Sequence, residues 1–364
     1  MKRDLVNKRF TVAALAGGAV LALALPVAAQ AATKTVYMGP PPKDSKQFEK
    51  LQAAVNDFFP HAVTIHAGDS IAFQPGFHNV DFPKKGGKHG SFIVDRGVKA
   101  ADVNDETGNP FWFNGQPLYG FNLALAAPKK KATYDGEQAV VGGVPVLGKP
   151  YVFTVKFTKT GTYTYYCDIH GGMKGVIRVV PKSARVPSKK DEDKTLHNQI
   201  AAAVKTAKKL RATKPPAGVV DVGVAGPSGV EYFNLVGPSA PVPVGTTLRF
   251  TMTKGSYETH TATTGPGDPN DEQGATSYLN TLAASFEGAA PFDARAIYPS
   301  DLPGGAPAAL TPQLHGNGFW NTGALDLDNA TPAPSNNSVR FDAPGSYTFY
   351  CLLHPFMKTT ITVQ

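Results

Sequence analysis

The chain has 364 residues, 36 basic and 28 acidic, for a formal net charge of +8. With 37 glycines, 31 prolines and few long helical patterns, it reads as short strands joined by turns, over two domains. The charge is modest and no nucleic-acid module accompanies it, which argues against a nucleic-acid binder.

Residues 1–31 read as an export signal rather than part of the fold. Lys2, Arg3, Lys8 and Arg9 form a basic start, Phe10 to Leu25 an apolar run, and Ala29-Gln30-Ala31 a small-residue cleavage site. The run is short for a membrane span, although an uncleaved anchor is the competing reading. Lys8-Arg9-Phe10 falls one arginine short of a twin-arginine signal, so the Sec and twin-arginine routes both stay open. No cysteine lies near the cleavage point to carry a lipid. Cleavage would remove four basic residues and Asp4, lowering the formal charge from +8 to +5. The mature protein is expected in the periplasm or outside the cell, touching membranes only through partners.

The first domain is expected over residues 32–181. Thr33 to Met38 reads as a strand, and Asp44 or Ser45 as the cap of a short helix running through Phe58. His61 to Phe73 reads as strand, Gly-Asp turn and strand, with His61 and His66 on its surface. His78 follows. The Gly-, Pro- and Asn-rich stretch from Val98 to Tyr134 reads as an elaborate loop carrying Phe111, Trp112 and Phe113. Ala139 to Val146 and Tyr151 to Phe157 read as strands, and Val176 to Val180 closes the domain. Residues 182–218 form a linker. Within it Leu196, Ile200, Val204 and Leu210 mark an amphipathic helix from Asp191 to Ala212, ended by Pro215-Pro216. The second domain, 219–364, repeats the plan: Val219 to Val224, Pro241 to Thr253 with a turn at Val244-Gly245, His260, a Gly/Asp/Pro-rich insert, Phe319-Trp320-Asn321, and Val339 to Cys351.

One stretch occurs twice: GTYTYYCDIHGGMKG at 161–175 and GSYTFYCLLHPFMKT at 345–359. Each begins with period-two alternation, so Tyr163, Tyr165 and Cys167 share a face, as do Tyr347, Phe349 and Cys351. Each then sets a thiol, an imidazole and a thioether at Cys-x-x-His-x-x-Met spacing: Cys167, His170, Met173 and Cys351, His354, Met357. A thiolate and imidazole with a weak axial methionine suits copper. His78 and His260 are the upstream candidates for the remaining ligand. The loop ligands are offset by 184 positions and these histidines by 182, which points to a duplicated domain. The two cysteines are the only ones in the chain. A Cys167–Cys351 disulfide is the alternative use for them, but equivalent positions would lie on separate cores.

At these residues the chain resembles the cupredoxin family of blue copper proteins, twice, with copper loops similar to those of amicyanin and plastocyanin. The resemblance implies an all-β fold of two tandem Greek-key β-sandwich domains, each with one type 1 copper ion. The ligand sets would be His78, Cys167, His170, Met173 and His260, Cys351, His354, Met357. It implies an electron-transfer protein with a redox protein donor and acceptor, and His170 and His354 edge-on to solvent. Two-domain relatives are often trimers, so a homo-oligomer fits. Asn79 resembles the family asparagine that ties the ligand strands together. The second copy departs from the pattern with Thr261 there, Thr359 for Gly175 and Pro355-Phe356 for Gly171-Gly172, which implies two coppers of different potential or affinity. Phe356 is a candidate for a docking patch or for loop packing. Trp112 and Trp320 read as core or loop anchors.

Two other functions compete. Copper storage or delivery would use the same ligands. A two-domain copper oxidoreductase, like nitrite reductase or laccase, would need further histidine ligands; Tyr166 and Tyr350 stand where such enzymes place one, and His61, His66, His89, His197 and His315 are unpaired in sequence.

Overall fold

The computed structural model describes residues 31–144, 149–271, 277–326 and 335–364. The leader expected over 1–31, apart from its last residue, and the end of the strand expected at Ala139 to Val146 lie outside them. None of the helices among the described residues is long and apolar enough to cross a membrane.

In the first half, Thr33–Met38 runs parallel to Ser70–Gln74 and antiparallel to Phe58–Phe59. Phe153–Phe157 and Lys131–Tyr134 complete this five-stranded sheet. A second five-stranded sheet takes the order Val140–Val141, Asp81–Phe82, Gly161–Tyr166, Lys174–Val180, Ala62–His66. Strict alternation decides which side chains go in. Phe153, Val155 and Phe157 are buried, while Thr154 and Lys156 between them are not. The inward faces of both sheets meet in one core built on Phe58, Phe73, Phe82, Phe157, Tyr165 and Ile177.

The second half repeats the principle. A six-stranded sheet includes Asn336–Phe341, Thr247–Thr251, Val219–Ala225 and Val230–Val236, and faces a four-stranded sheet containing Gly345–Tyr350 and Lys358–Val363. Val222, Phe250, Trp320, Phe341, Phe349 and Ile361 fill the space between. The all-β expectation holds, and each half has its own sandwich core.

Three features join the halves, and two of them correct the sequence reading. The first helix, Pro42–Glu49, stops nine residues short of Phe58. Gln52 adopts a left-handed backbone, with φ 51°, and the chain then extends as Ala53–Val55. That strand pairs antiparallel with Val230–Val236, so the first half supplies an edge strand to the second half's sheet. Helical spacing of apolar residues was outcompeted by a sheet edge that sequence proximity could not reveal. The stretch from 98 to 134 is likewise no plain loop. Ile93–Lys99 and Pro117–Phe121 form a hairpin, followed by the short helix Leu123–Ala126. Two of its aromatics leave the first half's core: Phe111 and Phe113 join Leu279, Phe292, Tyr298 and Phe319 from the second half's insert in a third core, while Tyr134 stays in the first. Trp112 anchors this packing by donating to the Pro299 carbonyl at 2.9 Å.

The third feature is the helix Lys189–Leu210, capped by Ser188 and Asp191 in a reciprocal capping box. Ile200, Ala203, Ala207 and Leu210 pack on Phe48 and Phe59 of the first half and on Val224, Val230 and Tyr232 of the second. It is a spacer that binds both halves.

Candidate metal centres

Cys167 sits where Gly161–Tyr166 ends. The strand pairs along its length with Lys174–Val180, Tyr166 opposite Lys174, so the residues between form a tight hairpin connection. The loop closes on its own backbone. Cys167 N–H donates to the Met173 carbonyl at 3.0 Å, and Met173 N–H to the His170 carbonyl at 2.8 Å. Cys351, His354 and Met357 make the same two bonds at the same lengths, 3.0 and 2.8 Å. Met173 and Met357 are buried at the loop ends. The upstream histidines arrive on neighbouring strands: Asp81, just past His78, pairs with Tyr166, and Thr263, just past His260, pairs with Tyr350.

The donors converge. In the first half Cys167 Sγ lies 3.8 Å from His78 Nδ1 and 3.6 Å from His170 Nδ1, and the two nitrogens are 2.9 Å apart. In the second the corresponding distances are 3.7, 3.6 and 3.2 Å. A point equidistant from three such atoms lies about 2 Å from each, close to the length of a metal–imidazole bond. One soft sulfur, two imidazoles and a buried thioether on the same loop fit copper by donor chemistry as well as by size. Both cysteines are free, which removes the disulfide alternative.

The family model for copper binding proteins of the plastocyanin/azurin family matches residues 49–180, which contain the first of these centres. Over those residues the chain is cupredoxin-like. Solved structures similar to it include a mutant amicyanin in the Cu(I) state, at 16% identity over 41% of this chain and 82% of that one, with a TM-score of 0.20. A pseudoazurin from Hyphomicrobium denitrificans matches at 16% identity over 47% of this chain and 97% of its own, with a TM-score of 0.19. A copper-containing nitrite reductase from Thermus scotoductus matches at 13% identity over 91% and 68%, with a TM-score of 0.20. The comparison with curated proteins found no match.

Around its donors the cupredoxin-like chain uses different residues for one task. Asn79 Oδ1 accepts from the Asp168 amide at 2.7 Å, and Asn79 Nδ2 donates to the Asp168 carboxylate at 2.6 Å. Thr261 takes over with its hydroxyl, accepting from the Leu352 amide at 2.8 Å, while its own amide donates to Cys351 Sγ at 3.3 Å. The departure noted in sequence keeps the tie between the strands.

The outer edges of the loop histidines correct the surface expectation. His170 is buried, its side chain 5% exposed, and His354 is only 21% exposed. Between them stands Glu258. Its carboxylate lies 3.3 Å from His170 Nε2 and 4.0 Å from His354 Nε2, and accepts from Asn56 Nδ2 at 2.6 Å. Asn56 follows the crossing strand Ala53–Val55, so the exchanged strand holds this carboxylate in place. A second buried acid, Glu231, meets His260 Nε2 at 2.9 Å. Among the described residues no carboxylate pairs with His78 in that way.

These groups shape one another. Burial opposes charge on His170, but Glu258 and Cys167 push it up to about 10. Burial likewise works against ionised Glu258, yet His170 above all keeps its carboxyl well below the usual range. His78, buried and beside His170, is driven well below the ordinary imidazole value. Burial would raise Cys351, but its bonds to His260 and His354 hold the thiol far down; His260 rises in turn, against burial, through Cys351 and Glu231. Metal-free, the donor sets hold protons that a bound metal would displace.

The remaining histidines do not gather. His61 pairs with Asp57 at 2.9 Å, His89 with Asp168 at 3.2 Å and His315 with Asp105 at 3.4 Å, while His66 bonds the Ala184 carbonyl at 2.9 Å. His197 lies on the long helix. Sequence reasoning missed Glu231 and Glu258. A signal was there: Glu231 interrupts the apolar strand VEYFNLV, and Glu258 alternates with His260 on one face of YETH, where an unpaired buried acid would be costly.

Proposed function

We propose that this is an exported electron carrier with one type 1 copper ion in each half, held by His78, Cys167, His170 and Met173 and by His260, Cys351, His354 and Met357. The observation that carries the reading is the twofold convergence of a thiol and two imidazole nitrogens, within 3.8 Å of one another, on a loop ending in a buried methionine. Copper held there would alternate between Cu(I) and Cu(II). The chain's contribution is rigidity: backbone bonds close each loop, Asn79 and Thr261 fix the strand behind each cysteine, and burial excludes water, so the donors need not rearrange on electron gain or loss.

The domains assigned are 32–181 and 219–364, with 182–218 as the helical linker and 1–31 as the removed signal. A redox protein donor and acceptor in the periplasm or outside the cell are the partners assigned. A groove of about 450 Å³ suits such a meeting: His78, His170 and His354 reach its floor, and Phe77 and Phe356, 59% and 58% exposed, flank it.

Copper per chain, measured together with the visible spectrum of the oxidised protein, tests the proposal. Two coppers with an intense blue band are expected. Fewer than two, or additional weakly absorbing copper, would count against it.

A further inference from the structure

We infer that the two centres exchange electrons within one molecule through Glu258, which joins the outer nitrogen of His170 to that of His354. The inference rests on the two-copper reading above and adds a route between the coppers. Its ends are a ligand histidine of each centre, each facing the same carboxylate with the ring nitrogen opposite its metal-facing Nδ1. The gaps are 3.3 and 4.0 Å. Electron tunnelling weakens steeply with every gap crossed through space, so a shared, fixed group between two rings outweighs a longer path through the sandwiches. The carboxylate cannot drift. Glu258 is 7% exposed, bonded by Asn56 Nδ2 at 2.6 Å, and its own amide donates to Ser256 Oγ at 3.1 Å.

Exposure gives the route a direction. His354 retains 21% side-chain exposure and lies beside exposed Phe356, whereas His170 is 5% exposed. An outside electron therefore arrives at the second centre, reducing Cu(II) there to Cu(I). It then passes across Glu258 to Cu(II) of the first centre, so one copper is oxidised as the other is reduced. No proton or further reactant is consumed. Glu258 is a positioning residue, since it holds the two rings in register without touching either metal.

The test is stopped-flow reduction of the fully loaded two-copper protein by an outer-sphere reductant, followed by loss of the blue band. Wild type is expected to bleach in one phase, because the first centre drains through the second. Glu258→Leu should split the bleaching into two phases, the slower one reduced roughly 10- to 100-fold and belonging to the first centre. Cys351→Ser should leave the first centre equally slow to reduce, while Cys167→Ser leaves the second fast. Glu258→Gln, which keeps the shape and one acceptor oxygen, should keep much of the rate, and Cys351→Ser decides the case in which Glu258→Leu fails to fold. Potentials measured for each variant separate lost coupling from changed driving force. Single-phase bleaching at the wild-type rate in Glu258→Leu with two coppers bound, or a first centre reduced at the wild-type rate in Cys351→Ser, overturns the route. A protein that binds fewer than two coppers overturns the underlying reading instead.

Discussion

In the first half Tyr165 lies directly across the ladder from Gly175; in the second the same pair is Phe349 and Thr359. A Cβ on Gly175 would stand 2.4 Å from the Tyr165 hydroxyl and 2.4 Å from the ring carbon that bears it, so the ring in this position demands glycine opposite, whereas Phe349 faces a threonine. Gly172 and Phe356 behave the same way. A Cβ on Gly172 would come within 2.0 Å of the Tyr257 ring, so the first loop is pressed against the other half, while Phe356 turns outward beside Phe233. Asp81, which accepts from the Gly90 amide, and Asp168, which pairs with His89, become Thr263 and Leu352 in the second half, where Thr263 bonds Thr261 and Asn321 instead. The donors are held constant because metal chemistry accepts few substitutes. Their neighbours diverge in matched pairs, since a lone change in a packed interior leaves a clash or an unpartnered polar group.

The largest break in this comparison comes from removing one sulfur at a time. Cys167→Ser and Cys351→Ser should each bind one copper less per chain by metal analysis, and the two survivors should differ in potential. Equal potentials would show that the divergent surroundings leave the metal untouched.

A smaller effect isolates one neighbour. Glu231 places a buried negative charge on His260 that His78 lacks, which favours the more highly charged metal. Glu231→Gln should therefore raise the second centre's potential by about 60 mV, the equivalent of roughly tenfold in relative affinity, and move the first far less. Voltammetry of the Cys167→Ser background reads this directly.

Next comes a pH effect confined to the first half. Burial, reinforced by Asp168, raises Asp81 to about 7 from an ordinary 3.8, so the folded protein keeps a proton that the unfolded chain has released. The associated stability is complete below about 4 and drains away as pH climbs to about 7. His89, raised chiefly by its bond to Asp168, adds to the same trend. The urea midpoint of metal-free protein should thus fall between pH 5 and pH 8, and Asp81→Asn should flatten that fall. A midpoint that rises instead would contradict the assignment.

The smallest expected change is Tyr165→Phe, which copies the second half into the first. The Tyr165 hydroxyl is buried without a partner among the described residues, so its removal should stabilise the protein by ~0.5–1 kcal/mol in chemical denaturation. Destabilisation would mean that the hydroxyl has work to do.

Much of this was legible in the sequence. Alternation around Tyr163 and Phe349 gave the strands, and the repeated Cys-x-x-His-x-x-Met gave the loop donors, because both signals are local. The unread parts depend on contacts between distant segments. Residues 53–55 follow a helix and look helical until the edge at Val230–Val236 captures them. Phe111 and Phe113 sit amid turn-forming residues, and their partners lie more than 160 positions later. Glu258 carries no motif of its own; its role arises only when the two loops face each other.

The strand at Ala53–Val55 has a consequence for how the protein is made. Synthesis runs from the amino end, so this segment is finished long before Val230–Val236 exists to receive it. Until then the nascent chain carries an unclaimed β-edge, the kind of surface that neighbouring polypeptides capture. Severing the chain between the halves would recreate that orphaned edge in one fragment and an unfilled berth in the other.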